Sequence, residues 1–373
     1  MQSPKPFSQL FPLDPSNDPI PLPTPPGPYK VGTVSLEATD TSRIDPFGPV
    51  PHHRRLMFSF FYPTTDDQHP FAPYFSSPKL AAKCDEMDHL PYGTTARCQP
   101  QAYDQASVLV TSPLPVLLFS TGAGVPREAY TVILEDLASE GYFCVSIGHT
   151  YETDIHFPDG EIVWQTRWAD VCDEEGLRVR AEDAIFALQQ LADGAFVGRI
   201  PGLGPQTLET DRVGMFGHSM GGIAALEAMG LDPRIAGGVN LDGMFMGNQV
   251  TVGTDRPFLV ISGKPNEDHP EYQSAITKIW PNLKGWKTEL QLVSALHMSF
   301  CDFATCYKLL GLLNSIDPKK KAFGTIDPLR MMVLQSAYLK AFFDFVLKKG
   351  RDDMFRNPDP RFPEVAIVKG QDE

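Results

Sequence analysis

The stretch Gly217-His218-Ser219-Met220-Gly221 constrains this chain more than any other, because of what lies on either side of it. Val213-Gly214-Met215-Phe216 before it is short, apolar and strand-like, while Gly222 to Met229 after it is built of helix formers and closes at Gly230. Strand, sharp turn and helix in that order force the central serine into a strained backbone conformation. The flanking glycines fit that turn, since a Cβ there would strike the neighbouring strand or helix. Ser219 is thereby presented at a strand end as a candidate nucleophile. A serine hydroxyl attacks only with a base in hydrogen-bond reach and an acid that orients the base, so such a serine requires two partners elsewhere in the chain.

The 373 residues are 42% hydrophobic, enough for one large α/β domain or two ordinary ones. Thirty-two basic against 46 acidic residues leave a formal charge of -14, which argues against nucleic acid or an anionic membrane surface as the main partner. No run approaches the roughly 20 apolar residues of a spanning helix. Met1 to Pro6 lacks the basic-then-apolar pattern of a signal peptide, so the expected location is the cytoplasm, with secretion as the alternative if the N-terminus has been trimmed. Six cysteines permit disulfides without requiring them; if the protein matures in an oxidising compartment, Cys84 and Cys98, which bracket a polar loop, form the expected pair, and the competing view, which the absent signal pattern favours slightly, is that both thiols are free and the protein is intracellular. No Cys or His spacing matches a structural zinc site, and no metal is expected.

Ten of the 35 prolines fall in residues 1–28, which excludes helix or central strand there and predicts an extended surface arm. Strands are expected at 29–37, 54–62, 114–120, 142–147, 235–241, 257–262 and 291–293, and helices at 127–139, 175–192 and 328–349. Phe157-Pro158-Asp159-Gly160 reads as the turn of a hairpin. Strand alternating with helix predicts right-handed crossovers and a mostly parallel central sheet flanked by helices, an α/β fold. Residues 29–350 then form the domain and 351–373 a polar tail.

An acid and a base for Ser219 are expected at strand ends, in the order Ser, Asp or Glu, His. Asp242 directly follows Val239-Asn240-Leu241, and His297 follows the strand around Gln291-Leu292-Val293. Asp255 and Asp268 compete for the acid role, but one precedes its strand and the other lies several residues beyond Ser262. His149 also ends a strand yet precedes Ser219, which breaks the order. Donors to a developing oxyanion are expected from the backbone N–H of Met220 and of Ala123, the latter in the loop Thr121-Gly122-Ala123-Gly124. Met244, Phe245, Met298 and Phe300 are candidates for an apolar substrate pocket, a pattern that core packing explains equally well.

Gly-His-Ser-Met-Gly-Gly at 217–222, Asn-Leu-Asp-Gly-Met-Phe at 240–245 and Leu-His-Met-Ser-Phe-Cys-Asp-Phe at 296–303 together resemble the plasma-type platelet-activating-factor acetylhydrolases, and their fungal homologues in particular. Pro28-Tyr29-Lys30-Val31-Gly32, Arg54-Arg55-Leu56-Met57 and Phe157-Pro158-Asp159-Gly160 extend the similarity from about residue 26 to about residue 348. The resemblance implies the α/β-hydrolase fold and a calcium-independent serine esterase for short or oxidised acyl groups, with no metal or organic cofactor. Ser219, Asp242 and His297 then match the triad one by one. It also implies a departure: many relatives have His-Gly where this chain has Thr121-Gly122. Esters of polymers or secondary metabolites, and acyl transfer to an alcohol or amine, suit the same machinery.

Overall fold

The computed structural model describes residues 18–166, 173–204, 207–264 and 271–370; Asp268, Cys172 and the first seventeen residues of the arm lie outside them. One ten-stranded sheet carries the fold. Its strands are β1 (Lys30–Ile44), β2 (His53–Thr64), β3 (Tyr103–Asp104), β4 (Leu114–Ser120), β5 (Phe143–Gly148), β6 (Leu208–His218), β7 (Ile235–Leu241), β8 (Phe258–Ser262), β9 (Lys287–Leu292) and β10 (Val365–Lys369). Across the sheet the order is β10-β9-β8-β7-β6-β4-β5-β2-β1-β3. The six from β9 to β5 run parallel, β2 is antiparallel to both neighbours and β10 is antiparallel to β9.

The main helices are α1 (Pro78–Met87), α2 (Thr131–Ser139), α3 (Glu174–Ala192), α4 (Met220–Leu231), α5 (Glu271–Ile279), α6 (Phe303–Leu309) and α7 (Pro328–Leu347). Several start where local chemistry dictates. Asp173 accepts from the Gly176 N–H at the head of α3, and Asp327 accepts from Leu329 and Arg330 ahead of α7, whose first residue is Pro328. Helices on both faces bury the sheet twice, which is why its strands read as unbroken apolar runs and not as alternations. In β4, Leu117 and Phe119 pack into the core on one face, while Leu114, Val116 and Leu118 pack into the core on the other.

Residues 18–28 of the arm are held where Ile20 and Pro21 pair with Cys98 and Gln99 and where the Gly27 N–H donates to Ser139 Oγ, with Leu22 buried in the core. The hairpin also forms, from Ile155–His156 and Ile162–Val163. One expectation is corrected. The stretch read as a polar tail returns to the sheet as β10, because Phe355, Phe362 and Val365 are buried against α7 and β9. Cys84 and Cys98 are free thiols: Cys98 lies beside Cys306, and Cys84 faces Tyr307 and Thr95. No helix among the described residues is long and apolar enough to cross a membrane.

Three carboxyl groups sit inside the fold around α2. Burial pushes Glu135 up to about 8 and Asp136 and Asp302 up to about 7, against the hydrogen bonds that favour their ionised forms. Between the ordinary carboxylate range, near 4 to 4.5, and these raised values, the folded chain binds more protons than the unfolded one. Stability is therefore fully present below that window and declines as pH rises through it. Glu135→Gln removes one such proton and keeps an oxygen to accept from the Gln101 and Ala102 N–H groups. Its melting temperature should fall less steeply than that of the wild type between pH 5 and pH 8, roughly the window set by these shifts; parallel pH profiles would remove Glu135 from this role.

Candidate active site

Ser219 sits between the end of β6 and the first turn of α4 with φ 56° and ψ −124°, a left-handed geometry that the fold imposes on a residue with a Cβ. Two glycines make the turn physically available. A Cβ on Gly217 would lie 2.3 Å from the Gly221 carbonyl carbon, and one on Gly221 would lie 2.0 Å from the Ser120 carbonyl oxygen. α4 can start this close to β4 only because those side chains are missing.

The two sequence-predicted partners arrive at the ends of neighbouring elements. Asp242, one residue beyond β7, also has a left-handed φ of 54°, and its N–H donates to the Ile261 carbonyl of β8 at 2.8 Å. Asn240 braces this turn by accepting from the Gly243 N–H at 2.7 Å and donating to the Gly243 carbonyl at 2.8 Å. His297 opens a short 3-10 turn after β9, fixed by Ser299 Oγ, which accepts from the Leu296 N–H at 2.9 Å and donates to the Phe323 carbonyl at 2.6 Å. The three side chains meet. His297 Nε2 is 3.0 Å from Ser219 Oγ, His297 Nδ1 is 2.7 Å from Asp242 Oδ2, and Asp242 Oδ1 accepts from the Gly263 N–H at 2.8 Å. Both side-chain oxygens are engaged, which keeps the carboxyl group oriented. The His297 side chain is 46% exposed against 12% for Asp242, so the base faces the solvent and the acid does not. Asp255 stays on the surface ahead of β8.

The loop after β4 supplies the other half of the site. The Gly122 N–H donates to the Tyr130 hydroxyl at 3.0 Å and the Gly124 N–H to the Glu152 carbonyl at 3.2 Å. The Ala123 N–H between them, and the Met220 N–H at the start of α4, have no acceptor among the described residues. Ala123 packs on the small cluster that contains Met220.

Beneath the loop lie residues that sequence reasoning passed over. Arg180 donates to the Thr121 carbonyl at 2.5 Å and to Glu152 at 2.7 Å, and Ser120 Oγ is 2.8 Å from His149 Nε2. His149 Nδ1 is 2.9 Å from Asp183, which takes two further hydrogen bonds from Arg54. Burial by itself would raise the Asp183 carboxyl, but the Arg54 guanidinium overrides it and holds the group far below the usual range. Burial and then Arg180 lower His149, which keeps its ring neutral. The strand-end position of His149 was legible; its buried partners, from three distant segments, had no periodic signal.

A cavity of about 310 Å³ opens beside this loop, between Gly124 and Pro126 on one side and Met298 and Phe303 on the other, with Leu80 and Met87 of α1 above. Of the four pocket candidates only Met298 lines it. Phe245 is 5% exposed and packs on Phe258, Phe300 is 1% exposed and stacks on His218, and Met244 is 38% exposed on the surface. A larger depression of about 770 Å³ lies at the opposite end of β6, around Leu208 to Arg212, away from Ser219.

This geometry has parallels in known proteins. The chain is 29% identical, over 93% of its own length and 93% of the relative's, to a probable 1-alkyl-2-acetylglycerophosphocholine esterase of Arthroderma benhamiae. It is 24% identical to the platelet-activating factor acetylhydrolase of Cavia porcellus, over 79% of this chain and 72% of the relative. Among solved structures, a ferulic acid esterase from Streptomyces cinnamoneus superposes with a TM-score of 0.83 at 31% identity, over 94% of this chain and 99% of that one. No family model matches the chain. On sequence and fold together, the chain belongs to the α/β-hydrolase esterases, in the branch that resembles the plasma-type platelet-activating-factor acetylhydrolases and their fungal homologues, and it is a carboxylic ester hydrolase.

Proposed function

We propose that the chain hydrolyses apolar carboxylic esters through an acyl-enzyme on Ser219, with His297 as base and Asp242 as its orienting acid. The observation that carries this reading is the unbroken hydrogen-bonded row from Ser219 Oγ through the His297 ring to Asp242. As Ser219 Oγ attacks the ester carbonyl, His297 Nε2 takes its proton, and Asp242 stabilises the imidazolium and keeps Nδ1–H in place. The carbonyl oxygen, now negative, lies between the Ala123 and Met220 N–H groups. Collapse of the tetrahedral intermediate breaks the ester C–O bond, and His297 returns the proton to the departing alcohol. Water, deprotonated by His297, then releases the acid and restores Ser219. The exposure of His297 supports water over a second alcohol as the acyl acceptor.

For the substrate, the apolar lining beside Ala123 and His297 supports a short or lipid-like acyl ester, in keeping with the named activities of the relatives. Polyester or secondary-metabolite esters are the alternative within the same class. We place the protein in a reducing compartment such as the cytoplasm, a reading that the free thiols of Cys84 and Cys98 support. A Cys84–Cys98 linked peptide from natively produced protein would move it to an oxidising one.

Ser219→Ala should lower kcat on the order of 10⁶-fold, and His297→Ala about as much, with the double variant little worse. Asp242→Asn should fold normally and lose roughly 10⁴-fold by presenting the wrong histidine tautomer, whereas Asp255→Asn should keep its activity. Steady-state hydrolysis of a p-nitrophenyl ester checks both, and a Ser219→Ala enzyme that stays active excludes Ser219 as nucleophile. Over p-nitrophenyl esters of increasing acyl length, kcat/KM should rise while the chain still gains apolar contact, by at most about 0.8 kcal/mol for each CH₂, and fall once the cavity is full. A profile that is flat with length would separate the cavity from acyl binding.

A further inference from the structure

His218, the second residue of the elbow, lies under the oxyanion loop and against the base at once. The Gly122 N–H donates to the Tyr130 hydroxyl at 3.0 Å, Tyr130 Oη is 2.8 Å from His218 Nδ1, and His218 Nε2 is 2.9 Å from the His297 carbonyl oxygen. Each proton in this row has one available place. A carbonyl oxygen can only accept, so His218 Nε2 carries a hydrogen. Burial, and next the neighbouring His297, hold the His218 imidazole well below its usual range, so the ring is neutral and Nδ1 is a bare acceptor. The Tyr130 hydroxyl must then donate to Nδ1 and accept from Gly122. Both rings are fully buried and clamped by packing: Phe300 stacks on His218, and the Tyr130 ring lies 4.6 Å from that of Phe119.

We propose that His218 is a positioning residue that ties the oxyanion loop to the catalytic base, so that the Ala123 N–H and the His297 ring are held in one fixed relation to Ser219. The proposal rests on the reading of Ser219 and His297 given above. Its physical content is preorganisation. The donor for the developing charge and the base for the proton act on the same tetrahedral centre, and an error in their mutual placement is felt in the transition state more than in substrate binding. The other fixed points of the loop anchor it to the sheet and to α3: the Thr121 carbonyl on Arg180, the Gly124 N–H on Glu152 and the Ser120 hydroxyl on His149. Only the row through His218 reaches the backbone of the base.

The test is Tyr130→Phe, which deletes one oxygen and keeps the packed ring, together with His218→Gln, His218→Asn and His218→Phe. Gln retains a donor at the Nε2 position toward the His297 carbonyl, Asn retains an acceptor at the Nδ1 position toward Tyr130, and Phe retains neither. For Tyr130→Phe we expect kcat to fall about 10- to 100-fold with KM changed by less than about twofold. The inhibition constant of a trifluoromethyl ketone, whose serine adduct places an oxyanion at Ala123 and Met220, should rise by a similar factor. His218→Gln and His218→Asn should each lose less than His218→Phe, and adding Tyr130→Phe to His218→Phe should cost nothing more. A purely structural role would lower the melting temperature and leave kcat and the inhibition constant of the folded enzyme unchanged; that result overturns the proposal, as do multiplicative losses in the double variant. If Ser219→Ala is inactive while Tyr130→Phe matches the wild type, this inference fails and the triad stands; if Ser219→Ala remains active, both fail.

Discussion

The first turn of α4 rests on the carbonyl of Ser120, and the placement of Ser219 follows from that approach. With a Cβ on Gly221 placed 2.0 Å from this oxygen, any side chain there would push α4 away from β4. Ser219 would then leave its left-handed turn, and Met220 would part from Ala123. The parallel order β4-β6-β7-β8-β9 places the carboxyl ends of these strands along one edge. Ser219 and Asp242 directly follow β6 and β7, and His297 follows β9 within five residues, so they gather by topology and not by proximity in sequence. The strain at Ser219 and Asp242, on the order of 1–3 kcal/mol each for such backbone geometries, is held by the ladders on either side.

A second Ser-His-Asp row lies beneath the loop after β4, and the two differ in exposure. Ser120, His149 and Asp183 are hydrogen-bonded at 2.8 and 2.9 Å, much like the row at Ser219. All three side chains are fully buried, however, and Asp183 is also shared by Arg54 and Arg43. Ser120 is closed off from solvent, which keeps a substrate carbonyl away from its Oγ. The charges serve the loop instead: breaking a buried pair of this kind typically costs about 3–5 kcal/mol, because the remaining charge is left uncompensated. Geometry among three residues therefore does not separate the two rows; exposure of the base does.

Most of the sheet was legible because a strand buried on both faces writes itself as an apolar run. Leu114–Ser120 and Ile235–Leu241 appear with the bounds their residues imply. The strand Val365–Lys369 was not legible, since an edge strand needs only one buried face, and Val365-Ala366-Ile367-Val368-Lys369 is short and sits in polar surroundings. The three residues of the Ser219 row could be singled out because each directly follows a strand or nearly so, and strand ends are readable. The pocket was harder. Phe245 and Phe300 are as apolar as any lining residue, and only the direction of their side chains, into Phe258 and His218, separates core from cavity.

Thr121 is the instructive departure. The loop that begins at Thr121 finds its support through groups that sequence cannot associate with it. Arg180 comes from α3, Glu152 and His149 from the segment after β5, and Tyr130 from the turn before α2. Each fixes a different atom of the loop, and Ala123 is left as the residue whose N–H is not consumed. That division is a matter of satisfaction and not of residue identity: with the amides on either side bound, the Ala123 N–H is the loop amide that the proposed mechanism can use without breaking an existing hydrogen bond. The restraint on the loop comes from the elements that surround it.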